Sequence, residues 1–264
     1  MTVHTKTLRG LTLALLLITV ALSACAAKDP IAPPADAPDP DKYLYEQGQA
    51  QLERRKWLTA REYFRRLVDG YPQSTYRAEA KLGIGDSYLG EDTPEAQVYA
   101  LNEFREFLSF FPTHSRADYA QYRLALSYYQ QMLAPQRDQT STKEAIREFD
   151  LFLERYPKSS LTAEVQAKRR EARDRLSRAE YEVGLHYYRM KWYPGAIDRF
   201  TAVIKNDPEF TRRDAVYFYM GETLMTEQVN RPAEALPYYD RIIKEFEASE
   251  YLERAKERVA AIKR

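Results

Sequence analysis

The chain is poor in the residues that most protein chemistry requires. It has one cysteine, Cys25, and three scattered histidines, which are too few for a disulfide framework, a metal cluster or a catalytic triad. The motifs HExxH, GxSxG, CxxC and the Walker loop are missing. Lys and Arg total 40 against 39 Asp and Glu, which leaves no basic excess for a nucleic-acid footprint. We therefore expect no metal, no cofactor and no nucleic-acid partner.

The few residues that could carry chemistry are better explained by packing or solvation. Gly83 and Gly85 form a bare G-x-G without the rest of a phosphate-binding motif, so we interpret them as helix-packing residues. Glu144 and Glu148 are one helical turn apart, as on a solvated charged face. His186 precedes two tyrosines and is interpreted as a packed or rim histidine. An enzyme hidden in the fold remains an alternative, which turnover sensitive to Glu or His substitution would support.

The amino end has the features of an export signal. Lys6 and Arg9 precede an uncharged apolar run over residues 11–22, which is too short to span a bilayer comfortably. The run ends in the residues Leu22, Ser23, Ala24 and Cys25. This ending resembles the lipobox of bacterial lipoproteins, which implies a signal peptide over residues 1–24 and lipidation of Cys25. The alternative is a plain signal peptide with an incidental cysteine.

The residue after the cysteine acts as a sorting signal in Gram-negative lipoproteins. It is Ala26 here and not Asp, so the resemblance implies an outer-membrane lipoprotein that faces the periplasm. Residues 25–41 then form the lipidated cysteine and a tether that contains five prolines. In extended polyproline geometry such a tether reaches roughly 50 Å from the lipid.

A repeated spacing organises the rest of the chain. Gly184, Ala196, Phe200 and Pro208 are separated by 12, 4 and 8 residues, and Gly48, Ala60, Phe64 and Pro72 repeat those gaps. This skeleton is typical of the tetratricopeptide helix-turn-helix unit, in which small residues let helix A approach helix B and proline ends helix B. One unit cannot bury its apolar face alone, whereas stacked units can. The sequence predicts an all-α superhelical array of about five units.

Variations on the spacing place the other units. The second unit is centred on Gly85 and Phe104, and the third on Ala125 and Phe149, with a long inter-helix loop over residues 135–142. The fifth is the least regular, because Glu247 stands where proline is expected and Pro237 falls inside helix B. A long helix over residues 162–190 joins the front repeats, residues 42–160, to the back half, residues 161–264. Residues 251–262 form a cap for the open end.

Three stretches carry a resemblance to one family. They are FPTHSRADYAQYRLALSYY at residues 111–129, RDQ at residues 137–139 and RDRLSRAEYEVGLHYY at residues 173–188. With the lipobox, they resemble the BamD family, also called ComL or YfiO, whose members are lipoproteins of the outer-membrane β-barrel assembly (Bam) machine. Ser177 departs from the alanine that the family pattern leads us to expect. Within the long loop, we expect Arg137 and Asp138 to have a structural role.

The resemblance implies a scaffold without catalytic activity. The back repeats of the family dock on the periplasmic domains of the barrel protein BamA, other Bam lipoproteins join the complex, and the front repeats help to capture unfolded barrel precursors. The candidate BamA-binding residues are Arg199, Arg178, Tyr181 and Tyr188. The candidate precursor-binding residues on helix A are Tyr45, Gln49, Tyr119, Tyr122 and Tyr129. For each tyrosine the alternative is inter-repeat core, and for Arg199 it is a solvated arginine.

A different repeat lipoprotein is the runner-up interpretation. A pilotin for a secretin or pilus, or an adaptor for a cell-wall enzyme, would share the anchor and the repeats. It would not share the RDQ loop or the RDRL junction.

Overall fold

The computed structural model describes residues 31–264. The predicted signal peptide, Cys25 and the first part of the predicted tether lie outside the described residues. The second part of that tether does not extend freely, because Ile31 packs against the apolar core of the first repeats. The first helix also begins at Pro40, inside the predicted tether, with proline in its first turn, where a missing N–H costs no helical hydrogen bond.

The described residues form eleven α-helices and no strand. In chain order they are α1 Pro40–Glu53, α2 Trp57–Gly70, α3 Arg77–Glu91, α4 Pro94–Phe110, α5 Ala117–Gln130, α6 Thr140–Arg155, α7 Thr162–Arg189, α8 Tyr193–Asn206, α9 Arg213–Leu224, α10 Pro232–Glu245 and α11 Leu252–Ile262. Each helix packs on the next, and helix A of one unit also contacts helix A of the following unit. The predicted all-α array of five helix pairs with a terminal cap is confirmed.

Each unit is closed by an aromatic ring that fills a notch left by a small residue. A Cβ atom at Gly48 would lie 2.5 Å from the Phe64 ring, and one at Gly83 of the next unit would lie 2.4 Å from the same ring. Phe64 therefore packs between two helix A backbones and joins unit 1 to unit 2. Gly184 stands in the same relation to Phe200, at 2.7 Å. These contacts explain why the spacing in the sequence is fixed.

The irregular fifth unit has the same register as the others. A Cβ atom at Gly221 would lie 2.6 Å from the Tyr239 ring, so Tyr239 takes the place of the repeat phenylalanine. Pro237 lies inside α10 and is exposed. It removes one hydrogen bond, to the carbonyl of the exposed Ala233, and water can replace that donor. The helix ends at Glu245 without the expected proline.

A serine–aspartate clasp crosses the turn between units. The Ser74 hydroxyl donates to Asp41 Oδ2 at 2.6 Å and accepts the Tyr76 backbone N–H at 3.1 Å. Ser159 bonds Asp118 at 2.6 Å, and Ser249 bonds Asp214 at 2.6 Å. In each case the first turn of helix A is tied to the turn that follows helix B of the same unit. Unit 2 has His114 at the serine position, where Nδ1 accepts the Arg116 N–H at 3.2 Å.

The long helix predicted over residues 162–190 is confirmed as α7. Three apolar clusters line the array. The cluster of the third unit reaches α7 at Val165, and the cluster of the back half begins on α7 at Tyr181. Between these residues α7 buries only Ala172, Ser177 and Ala179. We call the contacts of this part of α7 with α6, α8 and the turn after α8 the junction.

The solvated-face interpretation of Glu148 is wrong. Its side chain is buried, and its carboxylate accepts hydrogen bonds from Gln121 at 2.8 Å and Arg147 at 2.7 Å. Glu144 remains partly exposed and also pairs with Arg147, at 2.6 Å. Glu148 therefore contributes to packing between α5 and α6.

Candidate functional site

Tyr45 and Gln49 lie on α1, on the side that faces helix A of the second unit. The Tyr45 ring stacks on Tyr76 with centroids 5.0 Å apart and tilts against Phe64 at 6.3 Å. Both predicted residues are half-buried. Burial raises the pKa of Tyr45 above its ordinary value, and the nearby Glu79 carboxylate adds to that effect. Tyr45 is therefore part of the inter-repeat contact and also keeps an accessible edge.

Tyr119 belongs to a charged network between α3 and α5. Its hydroxyl donates to Asp86 Oδ2 at 2.8 Å, while Arg123 Nε lies 2.6 Å from Asp86 Oδ1. Arg116 covers the Tyr119 ring at 4.2 Å and pairs with Glu79 at 3.0 Å. Burial and the Asp86 carboxylate raise the pKa of Tyr119. Because the hydroxyl is already used, the network presents ring and guanidinium faces to a ligand.

Tyr122 is a core residue. Its side chain is 6% exposed, packs in the cluster around Phe149 and donates to Glu164 Oε1 at 2.5 Å. The prediction that it contacts a precursor is therefore corrected, because helix packing between α5 and α7 occupies its ring. Tyr129 is half-buried, and Lys168 Nζ lies 5.0 Å from its ring centroid. Burial and a hydrogen bond to Glu171 raise the pKa of Tyr129 to about 12.

Tyr181 is also a core residue, in the back half. It is 2% exposed and packs against Phe200 at 6.1 Å and Phe210 at 6.3 Å. Its predicted contact with a partner is corrected for the same reason as that of Tyr122. Tyr188, two turns further along α7, is half-buried and packs edge-on against Tyr219 at 5.5 Å. Tyr219 contacts both predicted tyrosines and so brings them into one aromatic cluster.

Arg178 and Arg199 lie at two different clefts. Arg178 pairs with Glu182 at 3.0 Å and lines a cleft between α7 and the long loop at Ala134 and Pro135. Arg199 Nη1 lies 2.7 Å from Glu180 Oε2, and both side chains are partly exposed. The structure therefore does not unite the four predicted BamA-binding residues in one patch.

Arg199 forms one wall of a groove across the junction. The groove has a volume of about 320 Å³. It is lined by Lys143 of α6, by Arg173, Leu176, Ser177 and Glu180 of α7, and by Arg199, Ala202, Val203, Asn206 and Asp207 at α8. The lining combines the apolar side chains of Leu176, Ala202 and Val203 with basic and acidic groups.

Asp207 lines the groove and connects α7 to the turn after α8. Arg170 makes two hydrogen bonds to its carboxylate, at 2.5 and 2.7 Å, and Ser177 donates a third at 2.6 Å. The carboxylate is 4% exposed, and this burial alone would raise its pKa. The hydrogen bonds from Arg170 and Ser177 outweigh burial and hold the pKa of Asp207 below its usual value. Ser177, the departure from the family pattern, therefore has a structural role.

The rest of the junction is also held by arginine. Arg169 and Arg173 both pair with Asp150 of α6, the second at 3.0 Å. Arg175 Nη1 donates to the carbonyl of Met132 at 3.3 Å. Sequence spacing did not find Asp86, Asp150, Glu180 or Asp207, because their partners are 19 to 37 residues away.

The RDQ loop is ordered by Asp138 and Gln139. Asp138 accepts the Thr140 backbone N–H at 3.0 Å at the start of α6, and Gln139 Nε2 donates to the Ala134 carbonyl at 2.9 Å. The structural role expected for Asp138 agrees with these contacts. The Arg137 side chain is exposed and borders a cleft with Val183 and His186 of α7.

Neither a metal site nor a membrane span occurs in the part of the chain that the structure describes. No three His, Cys, Asp or Glu side chains of residues 31–264 are grouped as metal ligands. None of the eleven described helices combines the length and apolar character needed to cross a bilayer.

Comparison with protein families gives one match that covers most of the fold. The model of the family YfiO, described as outer membrane lipoprotein, matches residues 37–233. The outer membrane protein assembly factor BamD of Caulobacter vibrioides is 27% identical over 225 residues, which cover 85% of this chain and 72% of that relative. The protein of the same name from Vibrio cholerae is 26% identical over 208 residues, 75% of this chain and 83% of the relative.

Solved structures share lower similarity. A tetratricopeptide repeat protein from Parabacteroides merdae is 13% identical and overlays with a TM-score of 0.37 over 84% of this chain and 90% of that chain.

Proposed function

Because this chain belongs to the YfiO family of outer membrane lipoproteins, we propose that it is a non-enzymatic scaffold of the outer-membrane β-barrel assembly complex. The observation that carries the proposal is the family match over residues 37–233, together with relatives named as outer membrane protein assembly factors. The scaffold is held by lipid on Cys25 at the outer membrane and faces the periplasm. A BamA-type barrel protein is its main partner, and other Bam lipoproteins join the same complex.

The junction groove is the proposed docking site for BamA. Arg199 is available there, because its side chain is 43% exposed and its ion-pair partner Glu180 is also partly open to solvent. A carboxylate on the partner can replace Glu180 as the counter-ion of Arg199. Arg178, in the separate cleft beside the long loop, and Tyr188 are proposed as second contacts with the same partner, whereas Tyr181 supports the surface from below.

The front helix A face is the proposed site for unfolded barrel precursors. Tyr45, Gln49, Tyr119 and Tyr129 keep accessible edges, and Arg116 lies over the Tyr119 ring. Ring faces and guanidinium groups make broad contacts that do not require one fixed side chain, which suits an extended peptide of variable sequence. Tyr122 stabilises this face from within the core.

Arg199→Glu tests the proposed function. The protein is used to pull down partners from detergent-solubilised envelopes, and the co-purifying barrel is identified. We expect a BamA-type protein with the wild type and at least about tenfold less with the variant, equivalent to about 1.4 kcal/mol of binding free energy.

Lys205→Glu is the matched control, because Lys205 is exposed on the same helix and no ion pair involves it. Thermal unfolding of both variants shows whether the new Glu–Glu180 repulsion unfolds the junction. Recovery of a secretin or a cell-wall enzyme in place of the barrel protein would support the runner-up scaffold and reject the Bam assignment.

A further inference from the structure

The turn inside the first unit carries three adjacent basic residues. Arg54, Arg55 and Lys56 connect α1 to α2, and all three side chains are exposed. None of them has an ion pair within residues 31–264. The turn is tight, since Arg55 adopts a φ of 57° and the Lys56 N–H donates to the Gln51 carbonyl at 2.9 Å. The backbone therefore holds the three basic residues side by side on a short turn, directly after the exposed Glu53 at the end of α1.

Two apolar side chains follow directly on the same turn. The Trp57 ring lies against the backbone of Gly90, where a Cβ atom would be 2.8 Å from it, and remains partly exposed. Leu58 is 63% exposed. We call residues Arg54, Arg55, Lys56, Trp57 and Leu58 the basic tip. Basic groups beside a tryptophan and an aliphatic side chain match the interface of a bilayer, where headgroups are charged and the acyl region begins.

The turns within the other units provide an internal comparison. The turn of unit 2 carries Glu91 and Asp92, and the turns of units 3 and 5 each carry one arginine and one carboxylate, Arg137 with Asp138 and Arg231 with Glu227. Only unit 4 has a similar turn, with Lys191 and Trp192, and the chain has two tryptophans in total. Both tryptophans therefore lie beside a basic turn, and the unit 1 turn has the most charge.

The start of the fold limits how far unit 1 can be from the lipid. Ile31 packs against the core that contains unit 1. It follows Cys25 by six residues, which span at most about 21 Å. With lipid on Cys25, as in the proposed function, the front of the array stays close to the bilayer. Unit 4 lies three units further along the array.

We propose that the basic tip of unit 1 docks on the anionic phospholipid headgroups of the bilayer that holds the lipid anchor. Each basic residue close to an anionic surface contributes about a fivefold gain in partitioning, so three together favour anionic over neutral lipid roughly 100-fold. Leu58 inserts at the headgroup level, while the Trp57 ring, which packs against Gly90, lies beside it at the membrane surface. This contact orients the front repeats on an anchor that alone allows rotation.

Quenching of Trp57 by brominated lipid tests the proposal. The full-length lipoprotein with Trp192→Phe, so that Trp57 is the sole tryptophan, is reconstituted into vesicles of brominated phosphatidylglycerol and phosphatidylcholine. We expect lower Trp57 emission than in the same vesicles without bromine. Emission should recover as salt rises from 0.1 to 1 M, because the Debye length falls from about 10 to about 3 Å. Vesicles of phosphatidylcholine alone should give little quenching.

Two triple variants separate the tip from net charge. R54E/R55E/K56E should lose the quenching, and R54Q/R55Q/K56Q should lose most of it. K205E/K244E/K263E makes the same charge change at exposed lysines on other helices and should keep it. Circular dichroism checks that all variants fold. In the matching Trp57→Phe protein, Trp192 is the sole tryptophan and its emission is measured in the same way. Quenching of Trp192 in the one protein, with no quenching of Trp57 in the other, would overturn the proposal.

Vesicle flotation distinguishes failure of the tip from failure of the anchor. Protein that floats without Trp57 quenching would overturn the tip proposal and leave the anchor intact. Protein that does not float would reject lipid anchoring, and the tip proposal would fall with it. If an acidic protein partner bound the basic tip and shielded Trp57 from quenching by brominated lipid, the proposal would also be overturned.

Discussion

The repeat units and the junction are held together by different forces. Within a unit, an aromatic ring such as Phe64 or Phe200 fills a notch left by glycine, and the contact is apolar and fully buried. At the junction, α7 buries few side chains, and pairs such as Arg170–Asp207 and Arg173–Asp150 connect it to its neighbours. Shape complementarity is almost independent of pH and salt, whereas charge pairs respond to both. The junction therefore depends on solution conditions more than the glycine–aromatic contacts of the repeats do.

The proposed contact with the partner lies at the junction and not within a repeat. The Arg199–Glu180 pair lies at the junction, where contacts are partly exposed and can be exchanged for contacts with another protein. In the proposed function, rigid repeats keep the shape of the front face while the charged region binds the partner.

Phe64→Ala should cause the largest loss of stability. The ring is fully buried between Gly48 and Gly83, so its removal leaves a cavity that two helix backbones cannot close. We expect a loss of about 3–5 kcal/mol in the free energy of unfolding, measured by urea denaturation. Phe110→Ala is the matched control, because Phe110 is 68% exposed, and should change it by less than about 0.5 kcal/mol. A loss below about 1 kcal/mol for Phe64→Ala would contradict the notch interpretation.

Asp207→Ala should cause a smaller loss that depends on pH. It removes three hydrogen bonds, but Arg170 is partly exposed and regains water, so we expect about 1–3 kcal/mol at pH 7. The folded-state pKa of Asp207 lies below the ordinary 3.8, so its contribution is complete above that pH. It is lost as the pH falls through the folded-state pKa. Urea denaturation between pH 7 and pH 2.5 should show the wild type and the variant converging.

Phe200→Ala provides the contrast for that pH series. No titratable group is removed, so its loss relative to the wild type should stay constant over the same pH range. Raised salt should likewise reduce the effect of Asp207→Ala more than that of Phe200→Ala. Equal pH dependence of the two variants would show that the repeats and the junction do not differ as described.

Local spacing was sufficient to predict the helices and their pairing. Gly48, Ala60, Phe64 and Pro72 act within one helix-turn-helix, so the steric reason for their spacing lies within 24 residues of sequence. The same reasoning placed α7 and the fifth unit. In that unit Tyr239 occupies the phenylalanine position, although the terminal proline is absent.

The burial of individual tyrosines could not be predicted in this way. Tyr119 and Tyr122 are three residues apart on α5, yet one keeps an accessible edge and the other is core. Their difference depends on Asp86 of α3 and Glu164 of α7, that is, on how neighbouring units are rotated. Tyr181 is buried for the same reason, by Phe200 and Phe210. Contacts between units do not produce a regular spacing of residues within one helix, so the sequence of that helix does not reveal them.

Ser159→Ala should have the smallest effect, and it would sharpen the comparison by measuring a polar contact inside a repeat. The hydroxyl donates to Asp118 at 2.6 Å and accepts the Leu161 N–H at 3.2 Å, so its loss should cost about 1 kcal/mol, or roughly 2–4 °C in Tm. Ser160→Ala, an exposed neighbour, should change Tm little. In a double-mutant cycle with Asp118→Ala, the coupling energy isolates the clasp. Strictly additive losses would show that the clasp does not link the two residues.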